Sequence, residues 1–422
     1  MYTSEINQEY AQVSANTAPI GPFVGINNRL PDHQLAVVER GRKSGDYLRN
    51  TVNVDLTAAG TLKRRKGSTL AQAGTDCHSL WSDGARAFYA DGDTLYQYPR
   101  TALRTGLVPG RRVSYCETPA GDVIWSNGAV MERIRAGASA PLGLAVPNPA
   151  PTVTASVGGG LHAGVYQVAI TATNADGEES GATWPVQVSV ADSGRIEVTG
   201  LPGSLTNIYI SPLNGDTLYL AATTTASSYV IPIMGTLRQS LQTPGLRPMP
   251  AGEIVREHGG RLLVVSGSTL YYSEPFGYGL HDPLRGRVPF GRRITLLAPV
   301  EGGCYVGTET DTFWLPGGDV EKTEIVELLP YGAVPGTDTA LENQTGVAWM
   351  STRGLIVADA AGQAKNVQED TVAVEPAASG ATLFREQDGM RQLVSSLAGA
   401  QTSRAAADSF MTMEVVRKEN ML

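Results

Sequence analysis

The sequence predicts an all-β protein: a β-propeller of about five to seven blades with an inserted fibronectin- or immunoglobulin-like β-sandwich. Three observations predict it. Helical periodicity is scarce. Short alternating or apolar runs recur between Gly, Asp, Asn and Pro punctuation. One strand–turn–strand grammar also repeats along the chain. The 422 residues are 42% hydrophobic with 48 Gly and 25 Pro, which suits a turn-rich globular protein and argues against disorder.

Residues 1–50 read as an N-terminal arm with the first strands, and 51–146 as the first part of the propeller. Within it, "HSLWSDGARAFYADGDTLYQYP" (78–99) reads as three strands joined by two Asp-Gly turns, and "RRVSYCETPAGDVIWSNGAVMERI" (111–134) repeats the order. The grammar breaks at "PNPAPTVTASVGGG" (147–160), read as a Pro-rich linker followed by a glycine run. Residues 150–245 then carry strand-like runs at intervals of ~10–15 residues, the spacing of a seven-stranded sandwich. Tyr166, Val168 and Ile170 mark one face of its clearest strand. "TPGLRPMPAG" (243–252) closes the insertion, so both its ends fall on one loop of the array.

Residues 253–400 resume the propeller with "HGGRLLVVSGSTLYYSEP" (258–275), "ITLLAPVEGGCYVGTETDTFWLPG" (294–317), "TGVAWMSTRGLIVADAAGQAKNV" (345–367) and a weaker copy, "ATLFREQDGMRQLVSS" (381–396). A period of ~35–50 residues is that of propeller blades. One meander cannot cover both its faces, and radial stacking covers them while leaving only short edges. Residues 401–422 read as a C-terminal strand or tail. Trp81, Trp125, Trp184, Trp314 and Trp349 fall one per module and are expected in blade and sandwich cores.

Catalytic chemistry is not predicted. Cys77, Cys116 and Cys304 form no C-x-x-C, and their odd number fits assembly in a reducing cytoplasm better than a disulfide framework. His33, His78, His162, His258 and His281 fall in no metal or general-base spacing, and no nucleophile elbow, P-loop or dinucleotide fingerprint occurs. No enzyme activity, catalytic residue, metal or cofactor is therefore expected. Asp91 and Asp93 read as turn residues bonding their own backbone. "NADGEES" (174–180) reads as a solvated hairpin tip. Nothing resembles a signal peptide, and no run approaches the ~18 apolar residues of a membrane span, so a soluble protein without membrane contact is expected.

One segment is out of character. The net charge is −8, yet Lys63, Arg64, Arg65 and Lys66 are consecutive, and Arg40, Arg42 and Lys43 lie just upstream. If Thr61–Lys66 form a strand, charges project from both faces, which marks an edge or an interface. As a DNA contact the patch would bind weakly and without sequence preference.

The segment "YLRNTVNVDLTAAGTLKRRKGST" (47–69), with Asn53, Val54, Asp55, Leu56, Thr57, Gly60, Leu62, Arg65 and Gly67, resembles the opening of tail nozzle proteins, also called packaged-DNA stabilisation proteins, of tailed bacteriophages. "LAPVEGGCYVGTETDTFWLPG" (297–317) and "TGVAWMSTRGLIVAD" (345–359), with Trp349, Ser351 and Gly354, are similar to later blades of that family. The resemblance spans the N-terminal ~100 residues and ~250–370, and skips the sandwich. It implies a structural virion protein, assembled in the host cytoplasm. The subunit would form a homohexameric ring below portal and adaptor proteins, meet a tail fibre or spike, and retain and channel packaged DNA by non-specific contact. In such a ring a basic edge on one subunit can meet an acidic patch on the next. Two other readings stay open: a carbohydrate-binding or glycan-hydrolysing propeller of a receptor-binding tail protein, and a distal tail or hub protein.

Overall fold

The computed structural model describes residues 21–37, 45–57, 59–237, 239–341, 345–387, 390–399 and 410–415. Among them there is no α-helix, only two short 3-10 turns, Asp32–Gln34 and Val320–Lys322. The rest of the regular structure is β. Five four-stranded antiparallel meanders carry the repeated grammar, and the chain divides into two compact units, residues 71–328 and residues 1–70 with 329–422.

In the unit of 71–328, the first meander is Cys77–Ser82, Ala87–Asp91, Thr94–Gln97 and Thr101–Arg104. The second is Ser114–Glu117, Val123–Ser126, Met131–Arg135 and Ala138–Pro141. After the sandwich come a third, Ile254–His258, Arg261–Ser266, Thr269–Tyr272 and Arg287–Pro289, and a fourth, Ile294–Val300, Gly303–Thr308, Thr312–Pro316 and Val326–Leu329. Each apolar layer is shared by consecutive meanders. Phe88 and Leu95 of the first pack with Tyr115, Val123 and Trp125 of the second. Ile124 and Met131 of the second pack with Val255, Leu262 and Val264 of the third. Leu263 and Val265 of the third pack with Leu297, Val306 and Leu315 of the fourth. Adjacent residues such as Val264 and Val265 thus serve opposite faces, as strand alternation requires, and each buried aliphatic contributes about 1.5–3 kcal/mol. This face-to-face stacking is propeller blade packing.

The insertion is a seven-stranded sandwich. Thr152–Leu161, Gly194–Thr199 and Ser228–Ile231 make one sheet. Val186–Val190, Gly164–Ala172, Thr206–Ile210 and Tyr219–Thr224 make the other, with the second strand in sequence paired to the third and the fifth. Tyr166, Val168 and Ile170 point into the shared core with Ile196, Val198 and Ile208. The glycine run 158–160 is part of the first strand and not of a linker. It carries a bulge between Val157 and Leu161. A Cβ on Gly159 would stand 2.2 Å from the Gly194 carbonyl oxygen, so the close approach of the partner strand demands glycine there. The return segment is likewise packed. Arg247–Pro248 pairs with Leu280–His281, and Met249 is buried in the layer between the second and third meanders.

In the other unit, Phe23–Ile26 (β1), Ala36–Val37 (β2) and Gly45–Leu48 (β3) form a small sheet of order β1-β3-β2. Val54–Leu56 (β4) and Leu62–Arg64 (β5) form a separate hairpin. The fifth meander, Thr339–Ala340, Gly346–Ser351, Gly354–Asp359 and Ala364–Asn366, packs Ala348, Met350 and Leu355 against Leu393 and Leu397. Those two leucines belong to a three-stranded sheet of Ala377–Gln387, Met390–Gly399 and Phe410–Val415. The weak copy at 381–396 is therefore a long hairpin plus a C-terminal strand.

Candidate functional site

The basic run lies on the β4–β5 hairpin, with Val54 opposite Arg64, Asp55 opposite Lys63 and Leu56 opposite Leu62. Its turn needs Gly60. The residue has φ +77°, and an added Cβ would meet the Phe23 carbonyl oxygen at 2.8 Å, where Phe23 N–H already donates to Gly60 at 2.7 Å. The regular strand covers three residues, shorter than Thr61–Lys66, and all three are exposed. Lys63 and Arg64 face solvent and Lys66 follows them outward, whereas Arg65 folds back. Its Nε donates to Asp55 Oδ1 at 3.2 Å, and Arg385 Nη2 stands 3.9 Å from Asp55 Oδ2. Asp55 is 7% exposed, so a nearly buried carboxylate between two guanidiniums anchors the hairpin. Arg40, Arg42 and Lys43 lie outside the described residues. Sequence reasoning found the basic residues and missed their anchor. Asp55 stands between Val54 and Leu56 in an otherwise apolar strand, but nothing local announces Arg385.

Close by in sequence, Asn28 staples two loops. Its N–H donates to Thr371 O, its Nδ2 to Ala373 O, and its Oδ1 accepts from Ala373 N at 2.7 Å. A shallow depression of about 330 Å³ opens beside them, lined by Arg29, Thr352, Arg353, Glu369, Ala373 and Val374. Arg353 is held over the Tyr331 ring, 4.8 Å from its centroid.

A second charged cluster fastens the sandwich to the second meander. Arg133 donates to Glu178, and Arg135 donates to Asp122 at 2.6 Å and to Asp176 at 3.0 Å. Asn174 Oδ1 accepts from the backbone N–H of Asp176 and Glu178, which shapes the loop. Burial works against the Glu178 charge, but hydrogen bonds from Arg133 and Asn174 outweigh it and hold the carboxyl below its ordinary range. The "NADGEES" tip is exposed at Ala175 to Gly177, as a solvated hairpin end would be, but its Asp176 and Glu178 carboxylates also meet arginines on the neighbouring blade. Glu179 accepts from the Tyr209 hydroxyl at 2.7 Å.

The remaining candidates resolve as structure. Asp91 does not bond its own turn: Oδ1 accepts from Thr75 and Asp76 N–H, both at 3.0 Å, and Arg100 donates to Oδ2. Asp93 Oδ1 accepts from the neighbouring Thr94 hydroxyl at 2.9 Å. His258 and His281 are buried, each with a ring nitrogen 3.2 Å from a backbone carbonyl, of Gly317 and Arg247 respectively. Burial pushes the Cys116 and Cys304 thiols up to about 12, which leaves them protonated and inert. Among the described residues no group of three or more His, Cys, Asp or Glu side chains is placed to hold a metal ion. Trp125 and Trp349 are fully buried and Trp314 nearly so, but Trp184 is 75% exposed. The sandwich core is aliphatic and Tyr166 supplies its large ring, so Trp184 has no place in it.

No protein-family profile and no curated protein matches the chain. Solved structures with distant likeness include BBS1N in complex with ARL6DN, at 9% identity and TM-score 0.31, covering 76% of this chain and 89% of that one. The extracellular domain of a one component system from B. thetaiotaomicron aligns at 11% identity and TM-score 0.26, over 82% of this chain and 73% of that one. A functionally unknown protein from Desulfotomaculum acetoxidans aligns at 12% identity and TM-score 0.29, over 71% and 86%. Likeness at this level says nothing about activity or partners.

Proposed function

We propose that this chain is a structural protein of a tailed bacteriophage particle, a nozzle-type subunit of the head-to-tail connection. In this reading copies form a ring below portal and adaptor proteins and help retain and channel packaged DNA. The observation that carries it is the β4–β5 hairpin. The segment that resembles the nozzle family's opening, Asn53 to Gly67, presents Lys63, Arg64 and Lys66 to solvent on an anchor of Asp55, Arg65 and Arg385. A basic loop fixed in this way on a subunit of net charge −8 serves contact with an acidic surface, either polypeptide or the phosphates of DNA.

The test is light scattering and negative-stain imaging of the purified chain, alone and with portal and adaptor proteins. A sixfold ring, formed alone or on the portal, supports the reading. A chain that ignores the portal and is retained on a glycan array overturns it in favour of sugar recognition.

A further inference from the structure

We propose that the β4–β5 hairpin of one copy docks along the outer strand Val326–Leu329 of a second copy, so that the chain carries both halves of a head-to-tail contact with itself. The proposal goes beyond the nozzle reading and needs only that two copies meet.

Two-stranded hairpins are marginal alone, and an uncovered strand edge is a template for pairing. The β4–β5 sheet has two strands only, so the outer edge of β5 has no strand neighbour among the described residues. Leu62 is 41% exposed there, beside Lys63 and Arg64, and Val52, just before β4 on the other arm of the hairpin, is 77% exposed. Among the described residues this edge is basic, partly apolar and without a second strand neighbour.

Its complement is specific. Each meander ends in an outer strand, and four of the five carry no acid: Thr101–Arg104, Ala138–Pro141, Arg287–Pro289 and Ala364–Asn366. The exception is Val326–Leu329. Glu324, Ile325, Val326 and Glu327 are four consecutive exposed residues, with Ile325 at 43% and Val326 at 39%. Upstream, Asp319 and Glu321 are engaged by Arg261 at 3.6 and 3.3 Å. Among the described residues Glu324 and Glu327 make no ion pair. An acidic edge flanked by exposed aliphatics matches a basic edge flanked by exposed aliphatics in charge and in apolar character. Two different patches on identical chains give a heterologous contact, which propagates head to tail.

The test mixes isotopically labelled and unlabelled full-length chain, treats it with a water-soluble carbodiimide, and reads cross-links by mass spectrometry. Sedimentation velocity follows self-association in parallel. Expected are mixed-label links from Lys63 to Glu324 or Glu327. Arg64→Glu and Glu327→Arg should each weaken association at least tenfold, and the double variant should recover most of it. Both positions are exposed, so an unchanged melting temperature serves as the folding control. Association indifferent to both reversals, failure of the double variant to recover, or a chain that stays monomeric at high concentration would each overturn the contact. A portal-bound ring that survives both reversals would remove this contact and leave the nozzle reading standing.

Discussion

Arg65 reaches back across its hairpin to Asp55, Nε to Oδ1 3.2 Å, and so turns one member of a basic run inward while its neighbours face solvent. The pair makes four consecutive cations unequal. Asp55→Ala would leave Arg65 and Arg385 without their shared carboxylate, and should destabilise the hairpin by about 1–3 kcal/mol. Arg64→Ala removes an exposed side chain and should change stability by less than ~0.5 kcal/mol. Trypsin reads the difference directly, since its targets are Lys63 to Lys66. Cleavage there should accelerate several-fold in Asp55→Ala and not in Asp55→Asn combined with Arg65→Gln. Equal rates in the wild type and Asp55→Ala would show that the anchor holds nothing.

The sandwich is fastened to its blade by charges that fall far apart in sequence. Arg133 has a side chain only 12% exposed, and its carboxylate partner Glu178 is 37% exposed, which places the pair between surface and interior. A double-mutant cycle of Arg133→Ala and Glu178→Ala should return a coupling of about 1–3 kcal/mol. That coupling should shrink in 1 M salt, where screening shortens to ~3 Å. Chemical denaturation at two salt concentrations measures it. Additive single effects at low salt would mean the sandwich is held by its packed stems alone, through Met249 and the pairing of Arg247 with His281.

The repeated strand grammar made the blades legible because Gly, Asp and Asn turns are local chemistry. The stretches around Trp125, Trp314 and Trp349 all became hairpins with buried indoles. What local pattern could not convey were the closures: Arg385 on Asp55, Arg133 on Glu178, and Gly159 against Gly194. Each depends on residues brought together only by the fold. Trp184 failed for a related reason, since its aromatic character suggests burial while the sandwich core is already filled by Tyr166 and aliphatics.

Two tryptophans turn that contrast into numbers. Trp125 is fully buried, and its Nε1 donates to Ser139 Oγ at 2.9 Å. Trp125→Ala should cost about 3–5 kcal/mol, mainly through the cavity, since Ser139 Oγ keeps its hydrogen bond to Glu132 at 2.7 Å. Trp184→Ala should cost less than ~0.5 kcal/mol. Thermal unfolding of the two variants checks both. A large loss at Trp184 would mean that its ring is covered, for instance by another copy, in the protein as it exists in solution.

Acid should weaken the protein in two separate steps. Burial holds the His281 imidazole below its ordinary value of 6.5, its nitrogen facing the Arg247 carbonyl, while Asp282 and Glu274 pull the other way. Below about pH 6.5 an unfolded chain binds a proton there that the folded chain refuses, so stability falls, by at most about 1.4 kcal/mol per pH unit for one proton. Glu178 behaves oppositely in origin. Its folded value lies below the ordinary 4.5, so its contribution is complete above that pH and is lost as pH drops through the lower folded value. Melting temperature against pH should therefore slope between pH 7 and 5, then drop again below pH 4.5. His281→Asn keeps a donor for the Arg247 carbonyl and removes the titration, so it should flatten the first segment and leave the second. Glu178→Gln should leave the first segment and make the second shallower without abolishing it, since Asp83, Asp91 and Asp282 are also held below their ordinary values by hydrogen bonds. If His281→Asn leaves the pH 7 to 5 slope unchanged, the imidazole is not the group that resists protonation.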